Sequence, residues 1–299
     1  MNTLITGGSG LVGSCFDWGV KPNSTQMNLL DYGSISSCIS SYGITEIIHL
    51  AAKVGGVKAN NDNQYDFFIQ NLLMNTNIIS AVDRHGLNKA TFVLSTCVFP
   101  HAVQYPVDVS ALHMGEPHPT NYGYAYAKRM LEVGARTLRE KGIKVRCVIP
   151  CNIYGKNDNY HLVNGHVIPS LVHKCYLAIQ NDTPFEIWGS GKAEREFVYA
   201  PDIAKAITLI HQDERDIPSS VVVNSGNSHT IQEISAMIAK HMGFNGKMVF
   251  DISKSEGILR KPTISQFHSL YPNFQFTDIE TGIYETCKFV KENYDRIRK

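Results

Sequence analysis

A phenol, an ammonium and a hydroxyl at two places in the chain could together pass a proton to a carbonyl oxygen. Tyr124-Ala125-Tyr126-Ala127-Lys128 sets a Tyr and a Lys four residues apart, which puts both side chains on one face of a helix. An ammonium so placed lowers the pKa of the phenol and readies it as a proton donor. Composition alone yields about one such pair by chance, and Tyr284 with Lys288 is a second. Position separates them. Tyr124 follows a strand whose end carries Ser95, whereas Tyr284 falls in a surface helix near the C-terminus. Ser95 can hydrogen-bond the same carbonyl, and open parallel sheets bind ligands at the carboxyl ends of their strands.

Two further residues could do chemistry but are not singled out by type alone. Cys97 stands two residues past Ser95, on the same face if the segment is extended. His166 lies in Gly165-His166-Val167-Ile168-Pro169 and is one of 12 histidines. Most cysteines are inert small hydrophobes, and a lone histidine is more often structural than catalytic.

The element that must position these groups starts at the N-terminus. Gly7, Gly10 and Gly13, in Thr6-Gly7-Gly8-Ser9-Gly10-Leu11-Val12-Gly13, form a Gly-x-x-Gly-x-x-Gly series directly after the first apolar run. Glycines permit a tight turn and close backbone approach, and the helix expected to follow would aim its N-terminus at a pyrophosphate. The next stretch is short. Between Gly13 and Glu46 only Asp31 to Tyr42 reads as helix, so the first crossover helix or the second strand is cut down. No acidic residue stands ready for a ribose 2′-hydroxyl and no Arg pair for a 2′-phosphate. Lys21, Ser24 and Thr25 are the candidate contacts, and the choice between NADP(H) and NAD(H) stays open.

Five runs read as strands: Thr3-Leu4-Ile5, Glu46 to Leu50, Thr91 to Ser95, Val145 to Ile149, and Val221 to Asn224. Helical patterns intervene, from Phe67 to Val82 with a stop at Gly86, and from Tyr124 to Glu140 with a stop at Gly142. Alternation of this kind predicts an α/β fold, a Rossmann-type doubly wound parallel sheet with a smaller mixed α/β C-terminal substrate domain. The division expected is 1–150 for the dinucleotide and 151–299 mainly for substrate, with segments in about 197–225 able to rejoin the first. Thr230-Ile231-Gln232-Glu233 is a capping box for a helix ending at Gly243.

The chain has 299 residues, 43% hydrophobic and 18% charged, with a net charge of +1, so neither nucleic acid nor membrane is an expected partner. Seven cysteines without a Cys-x-x-Cys pair point to a reducing compartment. No leader or spanning apolar run is evident, so a cytoplasmic location is expected, and no metal site is expected.

With these motifs in place, the chain resembles the GDP-L-fucose synthase family of extended short-chain dehydrogenases/reductases over nearly its whole length. The resemblance rests on His49-Leu50-Ala51-Ala52-Lys53-Val54-Gly55-Gly56, Leu94 to Pro100, Asn121 to Met130, Asn152-Ile153-Tyr154-Gly155, Gly165 to Pro169 and Trp188-Gly189-Ser190-Gly191. It implies a GDP-4-keto-6-deoxy-D-mannose substrate, epimerised at carbons 3 and 5 and reduced at carbon 4 by NADPH. In that scheme Cys97 is the base and His166 the acid of the epimerisation, and Ser95, Tyr124 and Lys128 serve the carbonyl. Related dehydratases carry an Asp-Glu pair after the strand, and related 4-epimerases a small residue in place of Cys97.

The resemblance also implies a cofactor wall made of Gly7, Gly10, Leu11, Val12 and Gly13 together with Asn28 and Leu29. Leu50, Ala51, Ala52, Tyr124 and Lys128 complete it. Lys174 and Arg195 fall at the diphosphate, with Lys261 a further candidate, and Asn152 and Trp188 help shape the sugar and guanosine pocket. A homodimer through the Phe67–Val82 and Tyr124–Glu140 helices is implied as well. Two alternatives remain: another nucleotide-sugar 4-keto reductase or epimerase, and a non-catalytic dinucleotide-sensing protein.

Overall fold

Short aliphatic runs bracketed by glycine, asparagine or proline form the strands, and the longer runs of 3.6 periodicity form the helices. The computed structural model describes residues 2–254 and 261–299. In chain order the elements of the first half are β1 (Thr3–Thr6), α1 (Tyr32–Tyr42), β2 (Glu46–His49), α2 (Val57–Asp62), α3 (Gln64–Arg84), β3 (Lys89–Val93), α4 (Tyr122–Glu140) and β4 (Lys144–Pro150). There follow β5 (Asn152–Tyr154), α5 (Val167–Asn181), β6 (Phe185–Trp188), β7 (Glu194–Tyr199), α6 (Ala200–Gln212) and β8 (Ser220–Val223). The chain ends with β9 (Ser228–Thr230), α7 (Ile231–Met242), β10 (Met248–Asp251), α8 (Gln266–Leu270) and α9 (Ile279–Asn293).

The five expected strands build one parallel sheet in the order β1-β2-β3-β4-β8. Every residue of β1, β2 and β8 is buried, as strands covered on both faces require. Leu4, Ile47, Phe92 and Ile149 pack on one face with residues of α1, α3 and α4. Ile5, Ile48, Val93 and Val148 point the other way, into a core shared with α6. The sheet is therefore wound with helices on both sides. Its register sets Thr6 opposite His49 and Val93 opposite Val148, so the carboxyl ends of β1 to β4 share one edge.

The compression after Gly13 removes the first crossover helix. A single 3₁₀ turn, Gly13–Cys15, stands where the sequence predicts a helix, and the second strand is reduced to Val20, bridged in parallel to Leu4. Val20 donates to Thr3 O at 2.9 Å and accepts from Ile5 N at 2.9 Å. Phe16, almost fully buried, stacks edge-on with Trp18 at 5.7 Å and joins the α6 core, so two aromatics cover the surface a helix would otherwise cover.

A second core belongs to α5, α7 and α9 with the strands around them. Its strands form a two-stranded sheet, β10-β6, and a three-stranded one, β5-β7-β9. Of the late segments expected to rejoin the main sheet, Ser220–Val223 does so beside β4. The Phe197-Val198-Tyr199 run does not: β7 pairs in parallel with β5 and antiparallel with β9. The capping box of α7 is present in full, with Glu233 N donating to Thr230 Oγ1 at 3.1 Å and Thr230 N to Glu233 Oε2 at 2.8 Å. Such caps are worth about 1 kcal/mol.

Candidate active site

The glycine loop leaves β1 and returns at once. Gly7 has φ +70°, a left-handed conformation, and a Cβ there would lie 3.0 Å from the backbone of Ala51. At Gly13 a Cβ would lie 2.2 Å from Gly7 O, so the loop can close on itself only without one. Gly10 is different. Its Cβ would meet Gly7 O at 3.2 Å and otherwise open space, and among the described residues the neighbouring Leu11 and Val12 amides make no hydrogen bond. An open face lined with free N–H groups fits a pyrophosphate, although the dipole of a long helix is missing behind it.

A polar chain inside the sheet edge ties this loop to the catalytic helix. Thr6 Oγ1 accepts from Leu50 N and Ala51 N, both at 3.1 Å, and pairs with His49 Nδ1 at 2.8 Å. His49 Nε2 meets Asn75 Oδ1 at 3.1 Å, and Asn75 Nδ2 donates to Ala127 O at 3.0 Å in α4. Burial, with help from the Lys128 charge, lowers the His49 pKa to about 3, so it is a neutral link. Sequence reading missed Thr6, His49 and Asn75 as positioning residues, although a buried histidine ending an apolar strand was a visible signal. Farther out, Asn28 is exposed and accepts from Leu30 N through Oδ1, while Leu29 O accepts from Asn77 at 2.9 Å. Lys21 folds back, its side chain crossing Gly8 and its Nζ donating to Phe16 O.

Ser95 and Cys97 follow β3, but the segment is not extended. Ser95 caps a 3₁₀ turn at Thr96–Val98, accepting from Cys97 N at 3.4 Å, and the turn rather than a shared strand face brings the thiol into the site. Cys97 and Ala52 pack against Tyr124, Phe67 and Ala59. Arg129 braces the turn from α4, donating to Val98 O at 2.7 Å and Gly115 O at 2.6 Å.

The expected depression of the Tyr124 pKa by Lys128 is not found. Burial holds the phenol well above its ordinary value, the Cys97 charge adds to the rise, and a hydrogen bond with Ser95 opposes it. Lys128 Nζ donates to Val93 O at 2.7 Å and lies 6.0 Å from the Tyr124 ring centroid. Burial lowers its own pKa to about 8. Tyr124 is thus a phenol that keeps its proton until a partner takes it.

His166 is the residue that caps the start of α5, with Nδ1 3.2 Å from Asp158 Oδ1. Burial works against its protonation, but the charge and the hydrogen bond of Asp158 together outweigh it and the imidazole pKa is raised. The loop bearing His166 is pressed on the nucleotide half. Gly56 N donates to Asn164 O at 2.8 Å, and Gly55 lies between Phe67 and Asn164.

Lys261 is within electrostatic reach of both Cys97 and Arg195. Burial lowers its pKa, the Cys97 charge opposes that fall and the Arg195 charge adds to it. Its segment is pinned by Glu196, which accepts from Thr263 Oγ1 at 2.7 Å. Asn152 donates to Glu196 O at 2.8 Å. Lys174 Nζ lies 4.0 Å from the Trp188 ring centroid and 4.0 Å from Glu186. The described residues hold no cluster suited to a metal, and no helix among them is long and apolar enough to cross a membrane. All seven cysteines are free thiols.

Comparison with known proteins agrees with this geometry. The pattern of the NAD dependent epimerase/dehydratase family matches residues 15–226, beginning just after the glycine loop. A GDP-L-fucose synthase of Dictyostelium discoideum is 39% identical over 99% of this chain and 97% of its own length. A GDP-L-colitose synthase of Yersinia pseudotuberculosis is 32% identical over 97% of each. The crystal structure of a GDP-L-fucose synthetase from Naegleria fowleri bound to NADP superposes with a TM-score of 0.92, at 36% identity over 99% of this chain and 94% of that one. The chain belongs to the NAD dependent epimerase/dehydratase family, in the branch that contains the GDP-L-fucose synthases.

Proposed function

We propose that this protein converts GDP-4-keto-6-deoxy-D-mannose to GDP-L-fucose, as a 3,5-epimerase and NADPH-dependent 4-reductase. The observation that carries the reading is Cys97 packed against Tyr124 on the turn that begins at Ser95. A reductase needs only the tyrosine and serine, whereas a thiol beside them supplies a base for inversion.

NADPH, when bound, supplies hydride. The loop from Gly7 to Gly13, with Leu50 to Ala52 set by Thr6, would hold it. Hydrogens next to the 4-ketone are acidic because the carbanion delocalises into oxygen, and the Ser95 hydroxyl and Tyr124 phenol stabilise that enolate. Cys97 removes the proton and His166 returns one to the opposite face. Tyr124 then protonates the oxygen at carbon 4, with Lys128 helping to orient the cofactor and phenol. Arg195 and Lys261 offset the diphosphate charge, and Trp188 with Lys174 offers an aromatic and cationic surface to the rest of the nucleotide.

A homodimer through α3 and α4 is part of the proposal, supported by Leu73, Tyr122, Met130 and Val133, which stand exposed on those helices. The seven free thiols favour a cytoplasmic setting. The test is incubation with GDP-4-keto-6-deoxy-D-mannose and NADPH, with product NMR. GDP-L-fucose is the expected product. A sugar reduced at carbon 4 without inversion at carbons 3 and 5 refutes the assignment.

A further inference from the structure

Asp158 is 4% exposed, yet its Oδ2 has no hydrogen-bond partner among the described residues. Oδ1 accepts from Asn159 N at 2.7 Å and meets His166 Nδ1 at 3.2 Å. A buried carboxylate with a half-satisfied hydrogen-bond set costs folding free energy, and such groups persist where the charge is used. Its only ion-pair partner among the described residues is His166, whose side chain is 39% exposed at the head of α5. The pair therefore joins a sequestered charge to an accessible ring.

The backbone holds both ends of the pair in one rigid loop. Tyr160, fully buried, donates to Gly155 O at 3.1 Å and Lys156 O at 3.0 Å, and Gly165 N donates to His161 O at 2.9 Å. A Cβ on Gly165 would lie 2.4 Å from Asn159 O, and one on Gly56 would lie 2.4 Å from Gly165 O. The Gly55-Gly56 pair thus lets the loop carrying Asp158 and His166 dock on the start of α2.

Resting on the function proposed above, we infer that Asp158 is the positioning residue of the epimerisation acid: it fixes His166 through Nδ1 and leaves Nε2 as the nitrogen that delivers the proton. In that step the Nε2–H bond breaks as a C–H bond forms at the sugar carbon. The enolate electron pair makes the new bond, the ketone is restored, and the imidazole regains its proton from water. Asp158 stays ionised throughout. The charges acting on the ring are Asp158, which favours the cation, and Arg298 from the C-terminal segment, which opposes it.

The test compares the full chain with Asp158→Asn, which keeps the size and an acceptor but removes the charge, and with Asp158→Glu. First, the His166 ring proton, assigned by its loss in His166→Gln, is titrated by NMR without substrate. The wild-type midpoint is expected above that of an ordinary histidine, and the Asn variant below wild type. Second, wash-in of deuterium at carbons 3 and 5 of the keto sugar should fall about tenfold or more in the Asn variant, with its pH profile displaced in the same direction and Glu restoring part of the rate. Third, hydride transfer from GDP-L-fucose to NADP⁺, which needs no inversion, should stay within about twofold. An unchanged midpoint, an unchanged exchange rate, or an equal fall in hydride transfer overturns the inference. If the Asn variant does not fold, a wild-type midpoint at or below the ordinary histidine value overturns it. Absence of exchange in the wild type would instead refute the proposed function, and the titration would still decide the pairing.

Discussion

Replacing Lys128 by Met should stabilise the protein while disabling it. Lys128 is 1% exposed, and burial moves its pKa from the ordinary 10.5 to about 8. At about 1.4 kcal/mol per tenfold change in proton affinity, keeping that ammonium buried at pH 7 costs roughly 3 kcal/mol. Met fills much of the same space without charge, but leaves Val93 O, now 2.7 Å from Nζ, without its donor, at a cost of about 1 kcal/mol. The net gain at pH 7 is then about 2 kcal/mol.

The sign follows from linkage. Between pH 8 and 10.5 the unfolded chain binds a proton at this lysine that the folded chain has released, so wild-type stability rises through that window. The advantage of the variant must therefore shrink above pH 8, vanish at about pH 9.5 and give way at pH 10.5 to a deficit of up to about 1 kcal/mol, the cost of the lost donor to Val93 O. Urea unfolding of both proteins, free of nucleotide, at pH 7 and pH 10.5 reads this directly. Reduction of the keto sugar by the variant should fall by at least about 100-fold. A variant less stable than wild type at pH 7, or a difference that does not change with pH, would show that Lys128 is not held as a buried cation.

Other expectations follow from the same geometry. Gly13→Ala should unfold the cofactor loop, because its Cβ would lie 2.2 Å from Gly7 O, whereas Gly10→Ala, at 3.2 Å, should keep the fold and weaken NADPH binding; thermal melts and NADPH fluorescence titration separate the two. His49 titrates near 3 and His211 near 4 in the folded chain, so stability should drop as pH falls from 6.5 toward 4, when only the unfolded chain takes up those protons; urea midpoints at pH 7 and 5 measure the slope, and His49→Asn should reduce it. Arg195→Gln and Lys261→Gln should each raise KM for the GDP-sugar about tenfold with smaller effects on NADPH, read by steady-state kinetics.

The main sheet was legible because its strands are buried on both faces, which favours short apolar-rich runs such as Leu4-Ile5, Ile47-Ile48 and Val221 to Val223. The capping box at Thr230 and the Asp31 cap of α1, which accepts from Gly33 N at 2.9 Å, are equally local and equally readable. The glycine loop could be found by pattern, but not that it opens only a 3₁₀ turn. That depends on Phe16 and Trp18 packing against α6, a long-range fact. For the same reason the spacing of Tyr124 and Lys128 put them on one helix face but missed their electrostatics. Burial of both outweighs their mutual effect, and Val93 O, on another element, takes the ammonium. Asp158 carries no local signal at all, since it lies eight positions before His166 and a tight loop brings the two together.

Proton exchange at the sugar tests the role of Cys97 most directly. Incubated in deuterated water with GDP-4-keto-6-deoxy-D-mannose and no nicotinamide cofactor, the protein should incorporate deuterium at carbons 3 and 5, and Cys97→Ser should slow that exchange far more than Tyr124→Phe does. Exchange in Cys97→Ser as fast as in the wild type would contradict the assignment of Cys97 as the base.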